Sequence, residues 1–337
     1  MPSNRESSWL VATSCDDRYL WPWACSLHSA VLNANAPIRF LIANVNGLLS
    51  PLGQQMAKDF LELLQVDGEI VDVSLDVGEV HKYDWNATVY ARLGLMDLME
   101  ERFMWLDSDT ILCTDWTKVF AEVEILMEDS NVVACGVLDR PSTLEQLRMS
   151  DTNTAYEAAQ GVYFNAGVLF VDPHRWRRGG MDRLWGELVA TQSERGFIYQ
   201  DQDVLNFLLA GKVRLLPKGF NHIVSEATNG TESILHFAGF PKPWRLTERG
   251  RAFFMATEAV NFDRPNDQIS GGGHGWELFP RYWEVERALV HFLQKSGDRR
   301  LASAFLGLRE AQLMSPSVQE QIKFWGLRLV SKRILPH

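Results

Sequence analysis

The sequence predicts an α/β fold: a Rossmann-like, mostly parallel sheet with flanking helices, continued by a helical C-terminal extension. Apolar runs of strand length alternate with helical segments through the first half, the pattern of a parallel sheet with helices on both faces. One of those runs, Phe103-Met104-Trp105-Leu106, ends abruptly in Asp107-Ser108-Asp109, at the sheet edge where ligands of such folds bind. The last sixty residues lose the strand-like runs and keep only helical periodicity.

Taken in order, the strands are expected at 9–13, 38–43, 70–75, 103–106, 132–138, 162–171, 213–216 and 234–237. Helices are expected at 21–33, 51–64 (with Pro51 in its first turn), 89–101, 115–127, 173–192 and 200–209. Residues 261–276 read as a loop, and helices follow near 280–295, 299–312 and 316–333. This divides the chain into a domain over 1–260, in two halves that meet at about 140, and an extension over 276–337. No G-x-G-x-x-G follows the first strand and no Walker loop is present, which removes the usual dinucleotide and P-loop readings.

Composition narrows the partners. The 337 residues are 46% hydrophobic with a formal net charge of -10, which argues against general nucleic-acid binding. The N-terminus lacks signal-peptide architecture and no apolar run approaches membrane-spanning length, so a cytoplasmic protein is expected. Cys15, Cys25, Cys113 and Cys135 lack paired zinc spacing and read as buried free thiols. The sequons at Asn86 and Asn229 are accordingly read as unmodified.

Asp107 and Asp109 lie two residues apart, and period-two alternation at a strand end aims them the same way. Two converging carboxylates suit a hard divalent cation such as Mg²⁺ or Mn²⁺. The same residues also suit a turn of solvated acids. Five other segments accompany them in order: Cys15-Asp16-Asp17-Arg18-Tyr19, Tyr90-Ala91-Arg92, Phe164-Asn165-Ala166-Gly167-Val168, Tyr199-Gln200-Asp201-Gln202-Asp203, and His236-Phe237-Ala238-Gly239-Phe240-Pro241-Lys242-Pro243-Trp244.

In order and spacing these six segments resemble glycosyltransferase family 8, and within it the bacterial lipopolysaccharide galactosyl- and glucosyltransferases, over roughly residues 9–245. The resemblance implies a GT-A fold, with a donor half to about 140 and a sugar and acceptor half over 141–260, and a retaining hexosyltransferase that moves glucose or galactose from a UDP-sugar. It implies that Asp107, Asp109 and His236 hold Mn²⁺ or Mg²⁺, the imidazole favouring Mn²⁺. Gly239 and Lys242 would close over the pyrophosphate. Asp16 would contact uracil and Tyr19 stack on it, with Arg18 standing where the family often has Asn. Arg92 would reach the donor sugar or phosphate, or else be a helix-surface arginine. Asn165, Ala166, Asp201, Gln202 and Asp139 would line the sugar pocket. By the same resemblance Gln202 would occupy the position beneath the anomeric carbon, where an amide is a poor nucleophile, so front-face substitution is expected with Asp201 as the alternative nucleophile.

Residues 295–337 carry eight Lys or Arg against three acids, with Phe324-Trp325 among them. The segment 316–333 therefore reads either as an interfacial helix on anionic lipid at the inner face of the membrane or as a helix packed on the catalytic domain. A self-glucosylating primer protein and a catalytically inactive nucleotide-sugar-binding module are the alternative functions. A pyrophosphorylase would carry a Gly-rich N-terminal phosphate loop, which is absent. The acceptor, a saccharide or another small hydroxyl compound, and the oligomeric state are left open.

Overall fold

The computed structural model describes residues 8–78, 86–113, 115–150, 153–224, 226, 230–239, 242–246, 251 and 278–313. The glycine-rich loop, the proposed domain boundary, Asn229 and the basic segment 316–333 lie outside them. The strands of the main sheet are β1 (Trp9–Ser14), β2 (Ile38–Val45), β3 (Gly68–Val73), β4 (Phe103–Leu106), β6 (Ala134–Leu138), β7 (Phe164–Val171) and β8 (Val213–Leu215). Their order is β3-β2-β1-β4-β7-β6-β8. Only β7 runs against its neighbours, antiparallel to both β4 and β6. A second sheet joins β5 (Thr110–Leu112), β10 (Ile234–His236) and β9 (His222–Ile223), with β10 in the centre.

The central strands are mostly apolar because both faces are covered. All four residues of β4 and all eight of β7 are buried. Alternation divides them between two cores: Val11, Met104 and Phe170 face one, and Leu10, Phe103 and Leu169 the other. The first core lies under α1 (Leu20–Leu32) and α2 (Pro51–Leu63), whose start is capped by Ser50 Oγ accepting from Gly53 N at 3.1 Å. The same core takes in Tyr282, Leu289 and Phe305 from α10 (Phe279–Lys295) and α11 (Arg299–Leu313), so these C-terminal helices share the interior of the N-terminal half. Fully buried Glu286 completes the join: it accepts from Trp21 Nε1 at 3.2 Å and pairs with Arg251 and Arg309 at 2.7 and 3.3 Å.

The second core lies under α3 (Ala91–Leu98), α7 (Pro173–Arg178), α8 (Trp185–Ala190) and α9 (Asp201–Leu208). The helix expected over 173–192 is broken at Gly179–Gly180, and a 3₁₀ turn over Met181–Arg183 separates α7 from α8. The helix expected over 115–127 shortens to α4 (Val119–Leu126) behind a 3₁₀ turn. Two further helices, α5 (Pro141–Arg148) and α6 (Thr154–Ala159), stand where the sequence offered no periodic signal. The cysteines are free, and all but half-buried Cys113 are buried. Among the described residues no helix is long and apolar enough to cross a membrane.

Candidate active site

The acidic pair forms at the end of β4, but alternation along a strand is not what joins it. The strand ends at Leu106, and Ser108 and Asp109 make a turn into β5. Asp107 stays on the ladder, its N–H donating to Gly167 O at 2.9 Å. Ser108 Oγ donates to Ser14 O at 2.5 Å and Thr110 Oγ1 to Asp107 O at 2.8 Å, which ties the turn at both sides. Antiparallel pairing of β5 with β10 then sets His236 opposite Thr110. His236 Nε2 thereby lies 3.3 Å from Asp109 Oδ1 and 3.8 Å from Asp107 Oδ2.

Ligand atoms of Asp107, Asp109 and His236 all lie within 4.8 Å of one another. The backbone makes room for this: a Cβ on Gly167 would sit 2.1 Å from His236 Cε1 and 3.0 Å from Asp107 Oδ2. Two carboxylates and an imidazole nitrogen are a donor set that fits a divalent metal ion. Cations of the protein also face this cluster. Lys242 Nζ donates to Asp109 Oδ2 at 2.6 Å and to Phe237 O at 2.8 Å, while Arg92 donates to Asp107 Oδ1 at 2.7 Å. Burial pushes Asp109 up, but Lys242 and His236 outweigh it and hold its carboxyl far below the usual range. For Asp107 burial prevails over Arg92 and the carboxyl is shifted up.

Arg92 is buried, not a helix-surface arginine. Its guanidinium lies 4.9 Å from the Trp105 ring centroid, reaches Asp201 Oδ2 at 3.1 Å and also donates to Ala166 O. Asp201 opens α9 behind Gln200, which adopts φ +51°, ψ -121° and accepts from Tyr90 OH. Such backbone in a non-glycine residue is strained and sits where the chain is forced to aim its next residues. Burial, offset in part by Arg92, pushes Asp201 up to about 7. Gln202 Oε1 accepts from Asn165 Nδ2 and Ala166 N, both at 3.1 Å, and its Nε2 donates to Asp139 Oδ2 at 2.7 Å. Asp139 is likewise shifted up by burial.

Asp16, which also lines the cavity, is held by three partners. Oδ2 accepts from Arg18 Nε at 2.8 Å and from Asn86 Nδ2 at 2.7 Å, and Oδ1 accepts from Tyr19 N at 3.0 Å. Arg18 thus acts on Asp16, and Asn86 of the first sequon is an interior partner. The Tyr19 ring meets Trp244 edge-on at 5.8 Å. One cavity of about 460 Å³ is lined by Asp16, Tyr19, Arg92, Asp107, Asp109, Asp139, Asn165, Ala166, Asp201, Gln202, His236, Gly239 and Lys242. All thirteen residues singled out from the sequence therefore meet at one place.

Sequence reasoning missed several supports of this cavity. Asn221 Oδ1 lies 3.0 Å from His236 Nδ1. Tyr163 OH donates to Asp203 Oδ1 at 2.5 Å, and Asp203 also accepts from Ile198 N and Tyr199 N at 2.6 and 2.8 Å, which fixes the entry to α9. Asp203 lay inside a quoted segment, whereas Asn221 and Tyr163 stand singly in apolar sequence without a spacing signal.

Residues 10–248 match the family Glycosyl transferase family 8. The chain belongs to this family. Lipopolysaccharide 1,2-glucosyltransferase of Escherichia coli (strain K12) is 27% identical over 179 residues, covering 48% of this chain and 50% of that protein. The chain spans about half the length of this relative and of a second lipopolysaccharide 1,2-glucosyltransferase of Escherichia coli. A galacturonosyltransferase-like protein of Arabidopsis thaliana is 28% identical over 268 residues, covering 71% of each chain. Among solved structures, galactosyltransferase LgtC in complex with donor and acceptor sugar analogs aligns with a TM-score of 0.57 at 20% identity, over 83% of this chain and 95% of that one. GlyE of Streptococcus pneumoniae TIGR4 aligns with a TM-score of 0.54 at 18% identity, over 92% of this chain and 65% of that one. The family 8 chain has the GT-A fold, with its candidate site at the carboxyl end of β4.

Proposed function

We propose that this family 8 chain is a retaining hexosyltransferase, dependent on a divalent metal, that moves glucose or galactose from a UDP-sugar to a hydroxyl of a saccharide or other small acceptor. The observation that carries this reading is the convergence of Asp107, Asp109 and His236 in the same cavity as Arg92, Asn165, Asp201 and Gln202. The names of the Escherichia coli relatives support a hexose and a lipopolysaccharide acceptor, and that of the Arabidopsis thaliana relative supports a sugar acid as the competing donor.

Asp107, Asp109 and His236 would hold Mn²⁺ or Mg²⁺, which neutralises a diphosphate and stabilises it as a leaving group. Asp16 and Tyr19 line the cavity and would meet the uracil base. Arg92 and Lys242 supply positive charge beside the diphosphate, and the buried amides and acids of the sugar end discriminate among hydroxyl patterns. The Arg92 guanidinium, 3.1 Å from Asp201 Oδ2, draws on the charge of that carboxylate and holds it in place. Gln202 Oε1 already accepts two N–H groups. Neither residue is set up for covalent attack, which favours front-face substitution: the acceptor oxygen bonds the anomeric carbon as the bond to the diphosphate breaks, and the acceptor proton passes to a β-phosphate oxygen.

The test is UDP release with Mn²⁺ from UDP-glucose, UDP-galactose and UDP-galacturonic acid separately, repeated with Asp109→Ala. Slow hydrolysis of one donor, lost in the variant, supports the reading and names the sugar. Donor binding without release in any metal would favour an inactive module, and mass increments on a tyrosine with donor alone would favour a self-glucosylating primer.

A further inference from the structure

We propose that Asn221 is a positioning residue. With Asn165 it holds His236 as the Nδ1–H tautomer and makes the candidate metal ligand and the sugar-pocket acid Asp139 two ends of one directed hydrogen-bond chain. This rests on the reading of Asp107, Asp109 and His236 as metal ligands.

The chain runs through four side-chain links. His236 Nδ1 lies 3.0 Å from Asn221 Oδ1, and Asn221 Nδ2 donates to Asn165 Oδ1 at 2.9 Å. Asn165 Nδ2 donates to Gln202 Oε1 at 3.1 Å, and Gln202 Nε2 donates to Asp139 Oδ2 at 2.7 Å. Asn221, Asn165, His236 and Asp139 are all buried, so a reversed or broken link would strand polar atoms away from water.

Amide orientation and imidazole tautomer follow from the network around them, and two backbone groups settle this one. Gly167 N donates to Asn165 Oδ1 at 2.9 Å, and Ala166 N donates to Gln202 Oε1 at 3.1 Å. A backbone N–H cannot accept, so neither amide can flip. With its oxygen thus fixed, Asn165 requires the Asn221 NH₂ to face it, which turns Asn221 Oδ1 towards His236. A carbonyl oxygen has no proton to give, so Nδ1 must donate. In the neutral imidazole the lone pair is then left on Nε2, the nitrogen that faces Asp109 and Asp107. Hydrogen-bond partners of this kind raise ligand basicity and fix ring orientation.

The consequence is specific to the polarity of the chain. Asn221→Ala removes the acceptor for Nδ1–H and frees the ring to rotate or exchange tautomers. Asn221→Asp keeps an acceptor for Nδ1–H but turns an oxygen towards Asn165 Oδ1, which cannot flip away from Gly167 N. Metal binding then survives while the sugar end is disturbed.

The experiment reads the imidazole ¹⁵N spectrum of the metal-free protein at alkaline pH, with His236 assigned by its loss in His236→Gln, and Mn²⁺ affinity by electron paramagnetic resonance. The expected results are an Nδ1–H tautomer in the wild type, and a mixture in Asn221→Ala with Mn²⁺ affinity about 10- to 100-fold weaker. Asn221→Asp should restore the tautomer and the Mn²⁺ affinity but leave a raised KM for the donor. An Nε2–H tautomer in the wild type, or Mn²⁺ affinity unchanged in Asn221→Ala, would overturn the proposal. The wild-type tautomer decides even if a variant fails to fold. Failure of the underlying ligand reading looks different: the wild type would bind Mn²⁺ no better than Asp109→Ala does.

Discussion

Lys242 Nζ sits 2.6 Å from Asp109 Oδ2, so the lysine expected on the pyrophosphate is held by a carboxylate of the candidate metal site. The same carboxylate cannot serve both cations fully. Lys242→Gln is therefore expected to act with opposite signs on two ligands. Mn²⁺ affinity without nucleotide should rise by about tenfold, on the order of one charge interaction in a partly buried site. Donor affinity should fall, since the diphosphate loses a cation. Calorimetric titration of Mn²⁺ and of UDP checks both, and a variant weakened for both would show that Lys242 does not compete with the metal.

Stability should depend on pH through Asp201. An unfolded aspartate releases its proton near pH ~3.9. Folded Asp201 keeps its proton up to about 7, chiefly because it is buried. Between these values the folded chain binds more protons than the unfolded one, so this residue lowers stability as pH rises through the window. Asp109 works elsewhere: its carboxyl is depressed, so its contribution is lost only on strong acidification. Asp201→Asn should flatten the decline from pH 5 to 8, by on the order of 3 kcal/mol. Urea midpoints across that range check it, and parallel profiles would remove Asp201 as the cause.

The sheet was legible because buried strands leave continuous apolar runs, as at 103–106 and 164–171, whereas irregular helices leave little. Asn153, whose side chain accepts from Tyr156 N at 3.0 Å, caps α6, and Pro141 opens α5; both signals were present without a periodic segment to attach them to. The acids and His236 were legible as motifs. Their geometry was not, because a turn and an antiparallel ladder join them, and neither leaves a fixed spacing. Arg92 shows the limit from the other side: helical position alone does not tell a buried hub from a surface cation, and only the carboxylates and carbonyl around it decide.

Gly167 is the backbone condition for the metal cluster. An added Cβ would lie 2.6 Å from His236 Nδ1 and 2.1 Å from its Cε1, so the ring, tied to Asn221, would have to shift. Gly167→Ala should displace the imidazole, cost about 1–3 kcal/mol and abolish stabilisation by Mn²⁺. Thermal unfolding with and without Mn²⁺ measures this. A variant with an unchanged Mn²⁺ shift would mean that His236 is not a ligand.

Gln202 separates the two routes open to the proposed retaining transfer. Its amide joins Asn165, Ala166 and Asp139 at one point of the cavity, and none of these contacts requires that it form a covalent bond. Gln202→Ala should lower turnover by about 10²- to 10³-fold, the scale of one preorganised electrostatic contact, while donor affinity changes by much less. Asp201→Asn should keep part of its activity if substitution is front-face, because the acid then only anchors Arg92. Under double displacement Asp201→Asn would be inert. Mass spectrometry of Gln202→Ala with donor and no acceptor gives the direct reading: a hexose adduct on Asp201 would replace the front-face route with a covalent one, whereas UDP release with no adduct leaves only the front-face route standing.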